Sequence, residues 1–197
     1  MLFDDVLPTC YISIKHSIKV RASASNAYRA MKELRFQEIS PLVNLLLAIR
    51  AFPERLLRRD YPDFTGKNSP KPFLEHLVSS VFIQLAERPE HEFVFGFIVP
   101  KDIGCFWKNH AATLHETMST EDFMGFNHPE YAKVAINFLI SETDTDGIVC
   151  LSTESRIKAL SPQAMKKFSA YWRVIYPGSA LIRGFWLRAI KHRAEKN

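Results

Sequence analysis

The sequence predicts an α+β protein in which an antiparallel sheet is followed by one long C-terminal helix. Three observations carry this reading. Apolar and polar side chains alternate strictly through residues 11–20 and again through 131–141 and 148–158, the period of half-buried strands. The last two runs are joined by Asp144-Thr145-Asp146-Gly147, and Asp-Gly suits the positive φ of a tight hairpin. Beyond Ser161 the period changes: Phe168, Tyr171, Trp172 and Ile175 fall at the i, i+3, i+4, i+7 spacing of one helical face.

The elements follow in order. In YISIKHSIKV, Ile12, Ile14, His16, Ile18 and Val20 share one face, and Tyr11, Ser13, Lys15, Ser17 and Lys19 share the other. Ser23 or Ser25 can cap a helix reaching about Leu34. A second, largely apolar helix is expected from Ser40-Pro41, with a further turn from Pro53, and the Pro- and Gly-containing stretch 61–72 reads as a loop. Strands are expected over 77–86, with Leu77, Val81, Ile83 and Leu85 on one face, and over 92–99, with Phe93, Phe95, Phe97 and Val99 together. Residues 103–126 read as further strand, and Asn127-His128-Pro129 as a turn. In the strand after the hairpin, Val149, Leu151, Thr153, Ser155 and Ile157 face one way, and Cys150, Glu154 and Arg156 the other. Ser161-Pro162 opens the last helix, Pro177-Gly178 should kink or break it, and Leu181 to Ile190 continue its apolar stripe.

Length and composition fit a single domain spanning residues 1–197, with 47% hydrophobic residues and enough apolar side chains for a core without metal or disulfide staples. The cysteines at 10, 105 and 150 are distant and odd in number, so they read as small buried hydrophobes in a reducing compartment. MLFDDVLPTC carries acids where a signal peptide needs basic residues, and the apolar run Leu42–Ile49 is too short for a membrane span, so a cytoplasmic protein is expected. Charge is unevenly placed. Residues 162–197 hold eight Lys/Arg against Glu195, a net +7, and the rest of the chain carries −2.

Strand, helices, a run of antiparallel strands and a long C-terminal helix is the helix-grip plan, in which a curved antiparallel sheet wraps around the C-terminal helix. PEYAKVAINFLI, GIVCLSTESRIKAL and SPQAMKKFSAYWRVIYPGSALIRGFWLRAIKHRAE, with the weaker LAERPEHEFVFGFIV, resemble uncharacterised bacterial members of the START/polyketide-cyclase-like (SRPBCC) superfamily. The resemblance covers residue 73 to the end and departs at Ser155, where Thr is usual. It implies a hydrophobic cavity between sheet and C-terminal helix that holds lipids, sterols, polyketides or other apolar ligands. Carriers, cyclases, hydrolases and oxygenase subunits share that fold, so it does not fix a reaction.

The candidate site residues follow from both lines. His16 interrupts an apolar strand face, where it would orient a ligand or act as general base; the commoner role is a buried, hydrogen-bonded histidine. Thr153 and Ser155 share the inward face and either contact a ligand or satisfy each other. Phe95, Trp107, Tyr171 and Trp172 are the candidate aromatic wall, although such stripes are more often plain core. Glu154 and Arg156 form an exposed ion pair on the outer sheet surface unless that face is covered. No phosphate loop, GxGxxG or GxSxG occurs, and His110, His115 and Glu116 match no metal-ligand signature, so no cofactor and no metal are expected. The expected partner is a hydrophobic small molecule held by a carrier or sensor. A cyclase- or hydrolase-type enzyme using His16 as base with Thr153 or Tyr171 orienting the substrate is the alternative, and a basic-tail interaction module is the second. Nucleic acid and stable membrane association are not expected, because the apolar stripe leaves Arg188, Lys191, Arg193 and Lys196 as a solvated ridge.

Overall fold

The computed structural model describes residues 1–39, 70–80, 82–100 and 118–196. The expected helix at Ser40-Pro41, the turn at Pro53, most of the loop 61–72, Cys105 and Trp107 lie outside the described residues. The elements are α1 (Leu2–Val6), β1 (Ile12–Val20), α2 (Ala24–Glu33), a 3-10 turn (Phe36–Glu38), α3 (Phe73–Ser80), β2 (Ile83–Arg88), β3 (Glu92–Pro100), α4 (Thr120–Gly125), β4 (Tyr131–Glu142), β5 (Val149–Ala159) and α5 (Pro162–Ala194). Among the described residues the strands form one five-stranded sheet in the order β1-β5-β4-β3-β2, every pair antiparallel. The first strand therefore lies beside the last, and the long C-terminal helix crosses the face they share: an α+β protein of helix-grip form.

Local sequence fixes most element boundaries. Ser23 caps α2 by accepting from the Asn26 N–H at 3.2 Å, and Ser161 caps α5 by accepting from the Ala164 N–H at 3.1 Å with Pro162 in the first helical position. Gly147 turns the β4–β5 hairpin at φ 72°, the conformation Asp-Gly was expected to provide. β1 alternates between half-buried and exposed residues along its length, as one face covered and one open to solvent requires.

Four expectations need correction. Residues 73–80 are helical, because Phe73, Leu74 and Leu77 bury one helical face behind Pro72, and the two-residue period takes over only at Ile83. Residues 120–125 are a helix as well, opened by a capping box in which Ser119 accepts from the Asp122 N–H and the Asp122 carboxylate accepts from the Ser119 N–H. Pro177 does not break α5, which runs unbroken through 33 residues. Tyr176 and Pro177 lie on the exposed side, where water can satisfy the carbonyl a proline leaves without its donor. The fourth correction concerns the outer sheet face.

Both faces of the sheet carry a core, although the outer face of the edge strand β1 is open to solvent. The inner face carries the main core, with Val20, Phe93, Phe95, Val134, Phe138, Leu151 and Ile157 packed under α2, α3 and α5. The outer face carries a second core, where Phe3, Val6 and Leu7 of the N-terminal segment and Phe123 of α4 meet Leu85, Val94 and Ile98. Glu154 and Arg156 are therefore largely buried, with side chains 12% and 13% exposed, rather than lying on an open surface. Arg156 Nε meets Glu154 at 2.8 Å and its Nη1 meets Asp4 at 2.8 Å, while Nη1 also donates to the Leu7 carbonyl at 3.2 Å. The guanidinium carbon stands 4.3 Å from the centre of the Phe3 ring. Beside it, the fully buried Glu92 accepts from the Leu2 N–H and from Asn137 Nδ2, each at 2.8 Å. Asn137 Oδ1 in turn accepts from the Glu154 N–H at 2.9 Å. A polar network on β3, β4 and β5 thus binds α1 to the back of the sheet.

This packing gives two stability predictions. Phe3→Ala should lower the free energy of unfolding by about 3–5 kcal/mol, read as a reduced denaturant midpoint, because a fully buried ring is removed. A change near zero would mean that α1 is not docked. Gly96→Ala should cost about 1–3 kcal/mol, since its Cβ would lie 2.6 Å from the Val134 carbonyl oxygen and 2.7 Å from Leu85 Cδ1. Thermal denaturation of the variant checks this, and unchanged stability would contradict the close approach.

Candidate functional site

The candidate site lies on the inner face where β1, β5 and α5 meet. The β1–β5 register sets His16 directly opposite Thr153 and Ile14 opposite Ser155. Cross-strand neighbours share a face, so His16, Thr153, Phe138 and Phe93 form one row across four strands. The next row runs Ile14, Ser155, Ile136, Phe95.

The helix above contributes Arg183, one of the eight basic residues of 162–197 and not one expected at the site. Arg183 is 4% exposed; its Nη2 donates to Ser155 Oγ at 2.6 Å and its Nη1 to Ser179 Oγ at 2.8 Å. Helical phase explains the inward turn. Arg183 stands four, seven and eleven residues before Leu187, Ile190 and Ala194, all buried, and four residues after Ser179. Leu181, expected in the packed stripe, is out of phase with these residues and is 53% exposed. Arg183 enters the sequence reading only through the net charge, although the 3.6-residue period already sets it in phase with the buried positions.

Three buried polar atoms on the elements that meet here lack a hydrogen-bond partner among the described residues: His16 Nε2 of β1, Thr153 Oγ1 of β5 and Trp186 Nε1 of α5. Thr153 is fully buried. The Trp186 ring lies 6.4 Å from that of Phe138, the β4 neighbour of Thr153, and 4.8 Å from Phe73. His16 is held below the ordinary imidazole range, first by burial and then by the like charge of Arg183. Its imidazole is therefore mainly neutral at pH 7, and its Nε2 has no hydrogen-bond partner among the described residues.

The other expected residues fall in different places. Phe95 is fully buried among Phe82, Phe93 and Phe138, with ring centres 5.2, 5.9 and 6.2 Å away, so it is part of the aromatic core two strands from Ser155. Trp172 is half-buried on α5 between Phe168 at 6.1 Å and Tyr176 at 6.4 Å, three turns before Arg183. Tyr171 belongs to α5, but its side chain lies outside the described part, and so does Trp107 altogether. Of the seven expected residues, the structure gathers His16, Thr153 and Ser155, and adds Arg183, Ser179 and Trp186.

The C-terminal charge is partly consumed within the fold. Arg193 pairs with Glu33 at 2.8 Å and Glu38 at 2.9 Å, and Lys191 donates to the Lys19 carbonyl at 2.9 Å. Arg188 and Lys196 remain exposed. A surface depression lined by Met118, Glu121, Asp122, Gly125 and Phe126 borders α4, across the sheet from the Arg183 cluster. Among the described residues no three His, Cys, Asp or Glu side chains converge as a metal site, and no helix is long and apolar enough to cross a membrane.

Fold and site together define a helix-grip α+β protein with a polar cluster held between its sheet and its gripping helix. No family model and no curated protein matches the chain. A solved structure similar to it is the crystal structure of protein MLL2253 from Mesorhizobium loti, 9% identical, which aligns over 94% of this chain and 98% of that one with a TM-score of 0.37. A likeness of that degree carries no inference about function.

The depressed His16 makes a prediction with a definite sign. Its folded pKa lies below the unfolded value, so the unfolded chain binds the extra proton and stability falls as pH drops through about 6.5 toward the folded value. Above that window the contribution is fully present. His16→Gln should flatten the stability profile between about pH 5 and pH 7, measured by urea unfolding at each pH. An unchanged acid limb would show that His16 does not titrate in this environment.

Proposed function

We propose that this protein binds an apolar or amphipathic small molecule between the sheet and α5, as a carrier or sensor, with the ligand's polar end at His16, Thr153 and Arg183. One observation carries the reading. His16 Nε2 and Thr153 Oγ1, opposite each other in the β1–β5 register, and Trp186 Nε1, on the helix that carries the buried Arg183, are buried without hydrogen-bond partners among the described residues. Native interiors pair the great majority of such atoms, because an unsatisfied one costs about 1–3 kcal/mol. A ligand offering acceptors would satisfy them, and the aromatic side chains around Phe138 and Trp186 suit its apolar portion. The resemblance to the START/polyketide-cyclase-like superfamily supports the same reading, and free Cys10 and Cys150 fit a reducing, cytoplasmic location.

The enzyme alternative requires an acid–base pair. Burial and Arg183 are the influences on His16 among the described residues, and no carboxylate is among them. The basic-tail alternative is weakened by Arg193 and Lys191, which bond within the fold.

Titration with the neutral probe N-phenyl-1-naphthylamine should give saturable fluorescence enhancement at one site per chain. Native mass spectrometry of protein purified without denaturation should reveal a co-purifying small molecule. Failure of both would remove the binding reading.

A further inference from the structure

The chemistry of the cluster narrows the ligand's polar end. Arg183 and Trp186 Nε1 can only donate hydrogen bonds, and Thr153 can donate one. The guanidinium is a permanent cation, and Ser155 and Ser179 accept from it. An uncharged hydroxyl or ester would engage these donors without using the positive potential around them. A carboxylate would use both, with two oxygens and four lone-pair directions.

His16 adds a second consequence. Thr153 faces it from β5 and Arg183 from α5, while its same-face neighbours on β1, Ile14 and Ile18, are apolar. Lys15 and Lys19 are on the opposite, exposed face. Burial is the larger influence holding the imidazole neutral and Arg183 the smaller; an anion brought between His16 and Arg183 would offset both and would supply an acceptor for a protonated Nε2.

We propose that the ligand is an amphiphile with a carboxylate head group, seated against Arg183, Thr153 and His16, and that its binding draws one proton from solvent onto His16. This rests on the small-molecule reading above and specifies the head group that reading leaves open. The proton balance is simple: the carboxylate enters ionised, the imidazole gains the proton, and the bound pair with Arg183 carries one net positive charge.

The test compares decanoate with decanol, which share a chain and differ in the head group, by displacement of N-phenyl-1-naphthylamine. Decanoate should bind at least about tenfold more tightly, a preference that Arg183→Met abolishes while the neutral probe still binds. Between about pH 8 and pH 6, where the ligand stays ionised, decanoate affinity should rise as pH falls, and His16→Gln should remove the rise. Calorimetry in buffers of different ionisation enthalpy should register the proton taken up. Equal affinity for decanoate and decanol, with the probe still bound, would overturn the carboxylate assignment and leave the binding reading intact. A decanoate preference without pH dependence would overturn the role of His16. Absence of binding by probe and both ligands would bring down both readings together. If Arg183→Met does not fold, the wild-type preference decides the head group and His16→Gln decides the proton.

Discussion

The structure depends on one strand that buries polar side chains on both of its faces. Ser152, Thr153, Glu154 and Ser155 are consecutive in β5, and all are at most 9% exposed. β5 is flanked by β1 and β4, so its backbone is satisfied within the sheet, but each of those side chains must find a partner above or below it. On the outer side Glu154 is met by Arg156 and Ser13, and its own N–H by Asn137. That arrangement is dry only because α1 covers it, and Arg156 in turn holds α1 through its carbonyls. On the inner side Ser155 is met by Arg183, which fixes the rotation of α5 over the sheet. Thr153 Oγ1 is fully buried without a partner among the described residues, and the candidate site is centred on it.

Much of this was legible in the sequence. The alternation in β1, β4 and β5 gave their extents and the side each residue faces, because a two-residue period admits few other interpretations. Serine caps located the starts of α2 and α5, since a side-chain acceptor at that position answers a definite need of the first turn. What escaped detection has physical causes. FLEHLVSS is too short for its helical period to outweigh the strand-like continuation into Ile83. LFDDV gives no periodic signal in five residues, and its role rests on long-range packing beneath residues 85–98 and on Arg156, which no local pattern encodes.

The site shows the same division. Strand parity placed His16, Thr153 and Ser155 on one surface and their register brought them together. Arg183 was missed because basic residues in an amphipathic helix are ordinarily counted as solvated, and its phase was outweighed by its charge. Phe95 was drawn into the expected ligand wall by aromatic composition alone, whereas its neighbours are other core phenylalanines. Composition identifies material suited to a pocket. Only three-dimensional neighbourhood separates packing from binding.

The sheet order also governs how the chain is made. Ile12 pairs with Ile157 and Val20 with Val149, so β1 finds its only sheet partner among the described residues in a strand synthesised more than a hundred residues later. Until then its row of isoleucines and the backbone edge that pairs with β5 lack their native cover, a state in which unpaired strands associate with one another. Loop closure over that separation places these pairings among the slow steps of folding. Lys15 and Lys19, alternating on the exposed face of β1, put charge along the segment that waits longest. Charge at such positions opposes strand-to-strand association while neither β5 nor α5 has yet emerged.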